Sequence, residues 1–262
     1  MMRTLWTAAT GMTAQQTNVD TIANNLSNVN NAGFKKSRAL FDDLMYQEVR
    51  RAGAITAAGL EHPTGIEIGL GTKVVGIEKI HSQGSLQYTG NNLDVAIEGD
   101  GYFQVAMPNG DIAYTRSGAF KIDGDGNLTM PNGYLIEPAI VVPEDSREIS
   151  FAEDGTVSVV LPGDEEPTEI GALELVRFIN PSGLHSIGKN LYVVTGASGD
   201  PQIGVPGEEG FGSIQQNILE MSNVSLVEEM VAMITGQRAY EINSKAVQTG
   251  DEMLQIVNNL KR

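Results

Sequence analysis

The sequence predicts a mixed α and β fold. Long N- and C-terminal helices pair as a coiled-coil-like inner domain, the centre is β-rich, and a connecting arm joins them. Three observations carry this expectation. All ten prolines lie between Pro63 and Pro206, and of thirty glycines only Gly11 falls in 1–32 and only Gly236 and Gly250 in 223–262. Helix breakers therefore concentrate in the middle. Both ends also repeat apolar residues every seven positions, whereas the middle alternates apolar and polar residues between turn signals. Charge divides the chain in the same places: 39–222 holds nine basic and twenty-seven acidic residues, against four and one in 1–38 and four and five in 223–262. The boundaries that follow are 1–32 with 223–262 for the terminal helical domain, 33–74 for the arm and 75–222 for the β-rich domain.

In the N-terminal segment Leu5, Met12, Val19 and Leu26 are seven apart, and Ala8, Gln15, Ile22 and Val29 form a second series offset by three. That is an a/d heptad pattern with one polar interruption. Its remaining surface is nearly uncharged, with Thr7, Thr10, Thr13, Gln16, Thr17, Asn18, Thr21, Asn24 and Asn25. Such a surface suits a helix enclosed by other helices, where buried charges cost too much. About six large side chains at ~1.5–3 kcal/mol each do not offset the entropy of ordering such a segment, so neighbours are needed to cover it.

Residues 46–72 look irregular, with Arg50-Arg51-Ala52-Gly53 and several glycines, and read as a linker or extended arm. From 75 onward come strand candidates at Leu93–Ile97, Tyr102–Val105, Ile112–Thr115, Ile140–Val142, Val157–Val160, Leu173–Val176 and Leu191–Val194. Pro108-Asn109-Gly110-Asp111, Asp123-Gly124-Asp125-Gly126 and Pro131-Asn132-Gly133 are hairpin turns. Short strands at this spacing predict a β-sandwich or barrel-like domain. At the C-terminus Leu226, Met233, Tyr240, Val247 and Leu254 are seven apart, with Ala232, Ala239, Ala246, Met253 and Leu260 beside them. Ser222 or Asn223 is expected to cap this helix, with Glu228 and Glu229 favouring its dipole.

Composition excludes several chemistries. The net charge of −16 argues against nucleic acid and anionic lipid, which need a basic face. Zero cysteine removes disulfides, thiolate metal sites and thiol catalysis. No apolar run approaches a membrane span, and the opening Met1-Met2-Arg3-Thr4-Leu5-Trp6-Thr7 lacks the long apolar core of a cleavable signal peptide. Asp123-Gly124-Asp125-Gly126-Asn127 begins like a calcium loop, but Leu128 and Tyr134 stand where glycine and glutamate are needed, so a hairpin is the better reading. Ser186-Ile187-Gly188-Lys189 is a short chance match to serine acyl-enzymes. His62, His81 and His185 have no metal-ligand spacing. Glu98 and Asp100 could form a glycosidase-like carboxylate pair, but a solvated acidic turn explains them. No cofactor is expected.

Residues 23–36, Ala-Asn24-Asn25-Leu26-Ser27-Asn28-Val-Asn-Asn-Ala-Gly33-Phe34-Lys-Lys, resemble the N-terminal signature of the bacterial flagellar rod and hook axial proteins. Here Gly33 and the asparagines are expected to end the helix by adopting left-handed geometry. Ser222–Val231 and Gln237–Gln248 look like the closing helix of this family. Ser82–Leu86, Leu93–Phe103 and Tyr114–Phe120 are also typical of it, so the resemblance covers essentially the whole chain. The opening residues and Phe41-Asp42-Asp43-Leu44-Met45-Tyr46-Gln47 look most like its distal rod members.

The resemblance implies a non-enzymatic subunit of a straight helical drive shaft that crosses the periplasm and transmits torque from motor to hook. Its expected partners are copies of itself, proximal rod proteins, hook protein, surrounding ring proteins and the flagellar export apparatus, with no nucleic acid and no membrane insertion. It implies residence in the flagellar basal body after export without a cleavable signal. Leu5, Met12, Val19, Ile22, Leu26, Leu226, Met233, Tyr240, Val247, Leu254 and Leu260 would form the polymerisation helices. A rod-specific connector would fall near Glu48, Gly53, Gly65 and Gly69, although Ile55-Thr56-Ala57-Ala58-Gly59-Leu60 departs from the family's Gln/Ser-rich composition there. The alternatives are a proximal rod or hook subunit, an acidic cell-wall hydrolase built on Glu98 and Asp100, and a monomeric coiled-coil binding module.

Overall fold

A computed structural model describes residues 2–53, 63–162, 167–208 and 210–260. The chain forms two compact units. One holds 1–27, 37–78 and 225–262, and the other holds 28–36 and 79–224.

The first unit contains both long helices. Helix α1 spans Met2–Ser27 and α2 spans Leu226–Leu260. They form where the sequence lacks proline and nearly lacks glycine, and they pack together. Ser225, not Ser222 or Asn223, stands at the start of α2: its carbonyl accepts the Glu229 N–H at 3.0 Å. Glu228 and Glu229 occupy the first turn, where a helix dipole favours acids.

Its described residues also form four strands: β1 (Ser37–Asp43), β2 (Tyr46–Arg50), β3 (Ile66–Gly69) and β4 (Thr72–Lys79). Strand β1 pairs with β4, and β2 pairs antiparallel with β3 through Tyr46↔Gly69, Gln47↔Ile68 and Glu48↔Glu67. The irregular chain expected at 46–72 is therefore corrected. Tyr46, Val49, Ile66 and Ile68 are β-formers, and their pairing overrides the glycine content. The stretch Ile55–Leu60 lies outside the described residues.

Among its described residues the second unit is all β apart from one short 3₁₀ turn. Strand Tyr102–Ala106 is central to a nine-stranded sheet, pairing antiparallel with Ile112–Thr115, with Leu135–Glu137 and with Leu175–Arg177. Its alternation places Phe103 and Val105 on one face and Tyr102 and Gln104 on the other, and all four are buried. Phe103, Ile136 and Leu175 of this sheet share a core with Ile149, Phe151, Val157 and Val159 of a three-stranded sheet. On the opposite face Tyr102, Tyr114, Phe178 and Tyr192 form an aromatic cluster. His81 joins it, its Nδ1 lying 2.7 Å from the Tyr102 hydroxyl.

The predicted turns at 108–111, 123–126 and 131–133 each join antiparallel neighbours. Two strand expectations are corrected. Ile140–Val142 makes only a single bridge, Asn127↔Val141, because flanking Pro138 and Pro143 supply no ladder donor. The strand expected at Leu173–Val176 is Leu175–Arg177. Gly33 does not end α1, which stops at Ser27. It turns the chain at φ +72° inside the second unit, where a Cβ would lie 2.6 Å from the Ser117 backbone nitrogen. None of the family-motif asparagines adopts left-handed geometry.

Candidate assembly surface

The contacts of α1 and α2 define an antiparallel register. A Cβ added at Gly250 would sit 2.8 Å from Leu5 Cδ2, one at Gly11 would sit 2.9 Å from Asn243 Nδ2, and one at Gly236 would sit 3.1 Å from Val19 Cγ2. At the far end Asn25 Nδ2 donates to Glu229 Oε2 at 3.0 Å. On α2 the line of contact is therefore Glu229, Gly236, Asn243 and Gly250, seven apart and without a large apolar side chain. Small residues let two backbones approach closely, which is why glycine survives inside these helices despite costing about 1 kcal/mol against alanine.

Asn25 anchors one end of the pair. It is buried, donates to Ser37 O at 2.8 Å as well as to Glu229, and accepts from Ser37 N at 2.8 Å. The amide thus ties α1 to α2 and to the start of β1. The other motif residues do local work. Ser27 Oγ donates to Ala23 O, Asn28 Oδ1 accepts from Asn31, Leu26 is half-buried, and Asn24 is exposed.

Four threonines on the uncharged surface of α1 bond to its own backbone. Thr10, Thr13, Thr17 and Thr21 hydroxyls donate to the carbonyls of Thr7, Ala9, Thr13 and Thr17, at 2.8–3.1 Å. A helix whose polar side chains bond to its own backbone can be enclosed without outside partners.

The heptad residues are less buried than their pattern suggests. Ile22 is buried. Leu5, Met12, Val19, Leu26, Met233, Val247 and Leu254 are half-buried, and Leu226 and Tyr240 are exposed. The Leu260 side chain lies outside the described residues. In addition, Val227, Met230, Val231 and Ile234 line one exposed α2 face at spacings of three and four, and Ile242 is 66% exposed. Soluble monomers rarely expose so continuous an apolar stripe.

In the second unit, Phe34 and Lys35 of the motif are buried. Glu220 accepts from Lys35 Nζ at 2.7 Å, Arg116 Nε at 2.6 Å and Gly84 N at 2.8 Å. Lys35 also donates to Ser82 O, and Arg116 to the carbonyls of Ile97, Gly99 and Gly101. All three side chains are at most 5% exposed. Burial would push the Glu220 carboxyl up, but Arg116 and Lys35 outweigh it and hold it below its ordinary value. Burial lowers Lys35 against the pull of Glu220. Asn223 adds a second tie, accepting from Lys36 N at 2.7 Å and donating to Ile80 O at 2.8 Å. The network ties together segments of this unit that are far apart in sequence. Glu220 was not anticipated from the sequence, although its place between Ile218-Leu219 and Met221 marks a charge inside an apolar run.

The connector residues lie about the β2–β3 pair. Glu48 accepts from Arg51 at 3.1 Å, and Gly53 turns at φ +80° with no described residue within 4 Å of where a Cβ would lie. Gly65 faces the Arg50 carbonyl, and Gly69 lies under the Tyr46 ring. Glu98 and Asp100 are exposed on either side of Gly99, and Glu98 is hydrogen-bonded by Gln215. Asp123 to Asn127 closes a hairpin, with Gly126 N donating to Asp123 O at 3.0 Å. Lys189 Nζ donates to the Tyr134 hydroxyl at 3.0 Å. His185 is exposed, and His62 lies outside the described residues.

A helix pair with an exposed apolar stripe, and a β unit held by a buried ion network, are features of a structural protein. Comparison with known proteins agrees. Residues 5–35 match the family described as flagella basal body rod protein, residues 96–159 the flagellar hook protein FlgE/F/G D1 domain, and residues 215–260 the flagellar basal body rod FlgEFG protein C-terminal. The chain is 55% identical to the flagellar basal-body rod protein FlgG of Borreliella burgdorferi over 264 residues, covering all of both chains. It is 48% identical to FlgG of Buchnera aphidicola from Acyrthosiphon pisum, over 99% of this chain and all of the relative, and 40% identical to FlgG of Bacillus subtilis over all of both. The chain belongs to the flagellar basal-body rod protein family, whose members are structural proteins of the flagellum and not enzymes.

Proposed function

We propose that this chain is the subunit of the distal rod, a straight helical shaft that crosses the periplasm and carries torque from motor to hook. The observation that carries the reading is the exposed apolar stripe of α2 beside an α1 whose hydroxyls bond inward. Both features suit helices that pack against copies of themselves in a tube wall. In this reading Leu5, Met12, Val19, Ile22, Leu26, Leu226, Met233, Tyr240, Val247, Leu254 and Leu260 form a coiled-coil-like polymerisation surface. The 33–74 segment, with Glu48, Gly53, Gly65 and Gly69, acts as a connecting arm, and 75–222 faces outward. Proximal rod proteins, hook protein and the surrounding rings are the neighbours, and the flagellar export apparatus delivers the chain without a cleavable signal. Full-length relatives named FlgG support the rod assignment over a hook subunit. The test is Ile242→Asp, which changes a side chain exposed in the single chain and so leaves its fold intact. We expect secreted but unassembled subunit and no distal rod by electron microscopy. Normal rods in cells carrying only this variant would overturn the reading.

A further inference from the structure

The helix pair carries an apolar knob near one end and a groove further along. The knob is Trp6, the chain's single tryptophan, 69% exposed beside Met2 and Leu5. The groove has a volume of about 380 Å³ and is lined by Gln16, Val19, Gln237, Tyr240 and Glu241, next to the missing side chain of Gly236. The two match in chemistry. An indole needs apolar walls and one hydrogen-bond acceptor. Val19 and the Tyr240 ring supply the walls, and Gln16, Gln237 and Glu241 supply acceptors. Knob and groove are ten to thirteen residues apart along α1, about 15–20 Å at 1.5 Å per residue, so one chain cannot fill its own groove. A knob that fits a groove elsewhere on the same molecule makes a head-to-tail contact, whose repetition gives a ring where the rotation closes and an open filament where it does not.

We propose that Trp6 of one copy seats in the Gln16–Val19–Gln237–Tyr240–Glu241 groove of a second copy displaced by about 15–20 Å along the helix axis. This rests on the reading of the chain as a rod subunit and names the contact that sets its axial step.

The absence of cysteine makes the test clean. Trp6→Cys and Gln237→Cys chains are expressed together in cells that also carry the wild-type chain, so rods form whatever the variants do. Basal bodies are isolated and oxidised, and the subunit is detected by immunoblot and mass spectrometry. The expected product is a dimer, disulfide-linked between the two substituted positions, at twice the subunit mass of 28.0 kDa. It should be absent when either variant is expressed alone, and absent when Gln237→Cys is replaced by Asp251→Cys. Both variants present in basal bodies without that dimer would overturn the contact and leave the rod reading standing. Trp6→Phe keeps a ring and should retain swimming, whereas Trp6→Asp should reduce incorporation at least tenfold in competition with wild type; equal incorporation would also overturn the contact. Wild-type subunit missing from the isolated basal bodies would instead sink the rod reading itself.

Discussion

Replacing Glu220 with glutamine tests whether the buried ion network holds the β unit together. The carboxylate accepts three hydrogen bonds, with Oε1 serving Lys35 and Gly84 and Oε2 serving Arg116. Glutamine retains one acceptor. Its amide nitrogen must then face Arg116 Nε, or else Lys35 and Gly84, setting donor against donor. The variant also leaves two buried cations without their shared anion. Removing one partner of a buried ion pair costs about 3–5 kcal/mol, and the carbonyls that still cradle Arg116 place this site toward the lower figure. Denaturation of the full chain in urea, followed by circular dichroism, should show the β transition destabilised by about 3 kcal/mol. Adding Lys35→Met should recover part of that loss, since it removes one orphaned cation. A loss below about 1 kcal/mol, or a double variant worse than the sum of its parts, would refute the reasoning.

Three further outcomes follow from the same structure. Burial pushes His81 down to about 4, helped by nearby Lys35, Lys79 and Arg116; its contribution is therefore present above the unfolded value of about 6.5 and is lost as pH falls toward 4. Between pH 7 and 5 the wild type should lose about 1–2 kcal/mol relative to His81→Gln by urea titration, and parallel pH profiles would contradict this. Gly33→Ala combines φ +72° with a backbone clash, whereas Gly53→Ala has φ +80° with no described residue close by, so the first should cost at least about 2 kcal/mol and the second about 1 in thermal melts; equal losses would refute the steric term. Among the described residues of α2 only Glu229, Gly236 and Gly250 are buried, so limited proteolysis of the monomer should cut within the helical unit first and leave a resistant centre near 79–224. Even protection along the chain would mean that the helix pair is stable without neighbours.

The absence of breakers announced both long helices, and Pro-Asn-Gly and Asp-Gly pairs announced the hairpins, because helix continuity and tight turns are decided within a few residues. Strand identity was less legible where prolines flank an alternating run, as at Ile140–Val142, or where β-formers sit among glycines, as at Tyr46–Arg50 and Ile66–Gly69. The motif asparagines were legible as a signal but not in their role: Asn25 clasps α2 and β1 instead of ending a helix. The ion network was legible only in fragments, since Lys35, Arg116 and Glu220 are far apart in sequence and a lone charge looks like a solvated one.

By itself the sequence determined the two terminal helices, the β-rich centre, the family and the lack of thiol chemistry, because each follows from local propensity, composition or motif. Only the tertiary structure decided which face of α2 meets α1. The heptad of large apolar residues suggested Leu226, Met233, Tyr240, Val247 and Leu254, yet the closest line is Glu229, Gly236, Asn243 and Gly250. Hydrophobic periodicity reports which residues avoid water, whereas close approach of two helices depends on where side chains are small, leaving the larger apolar residues of α2 half-buried or exposed.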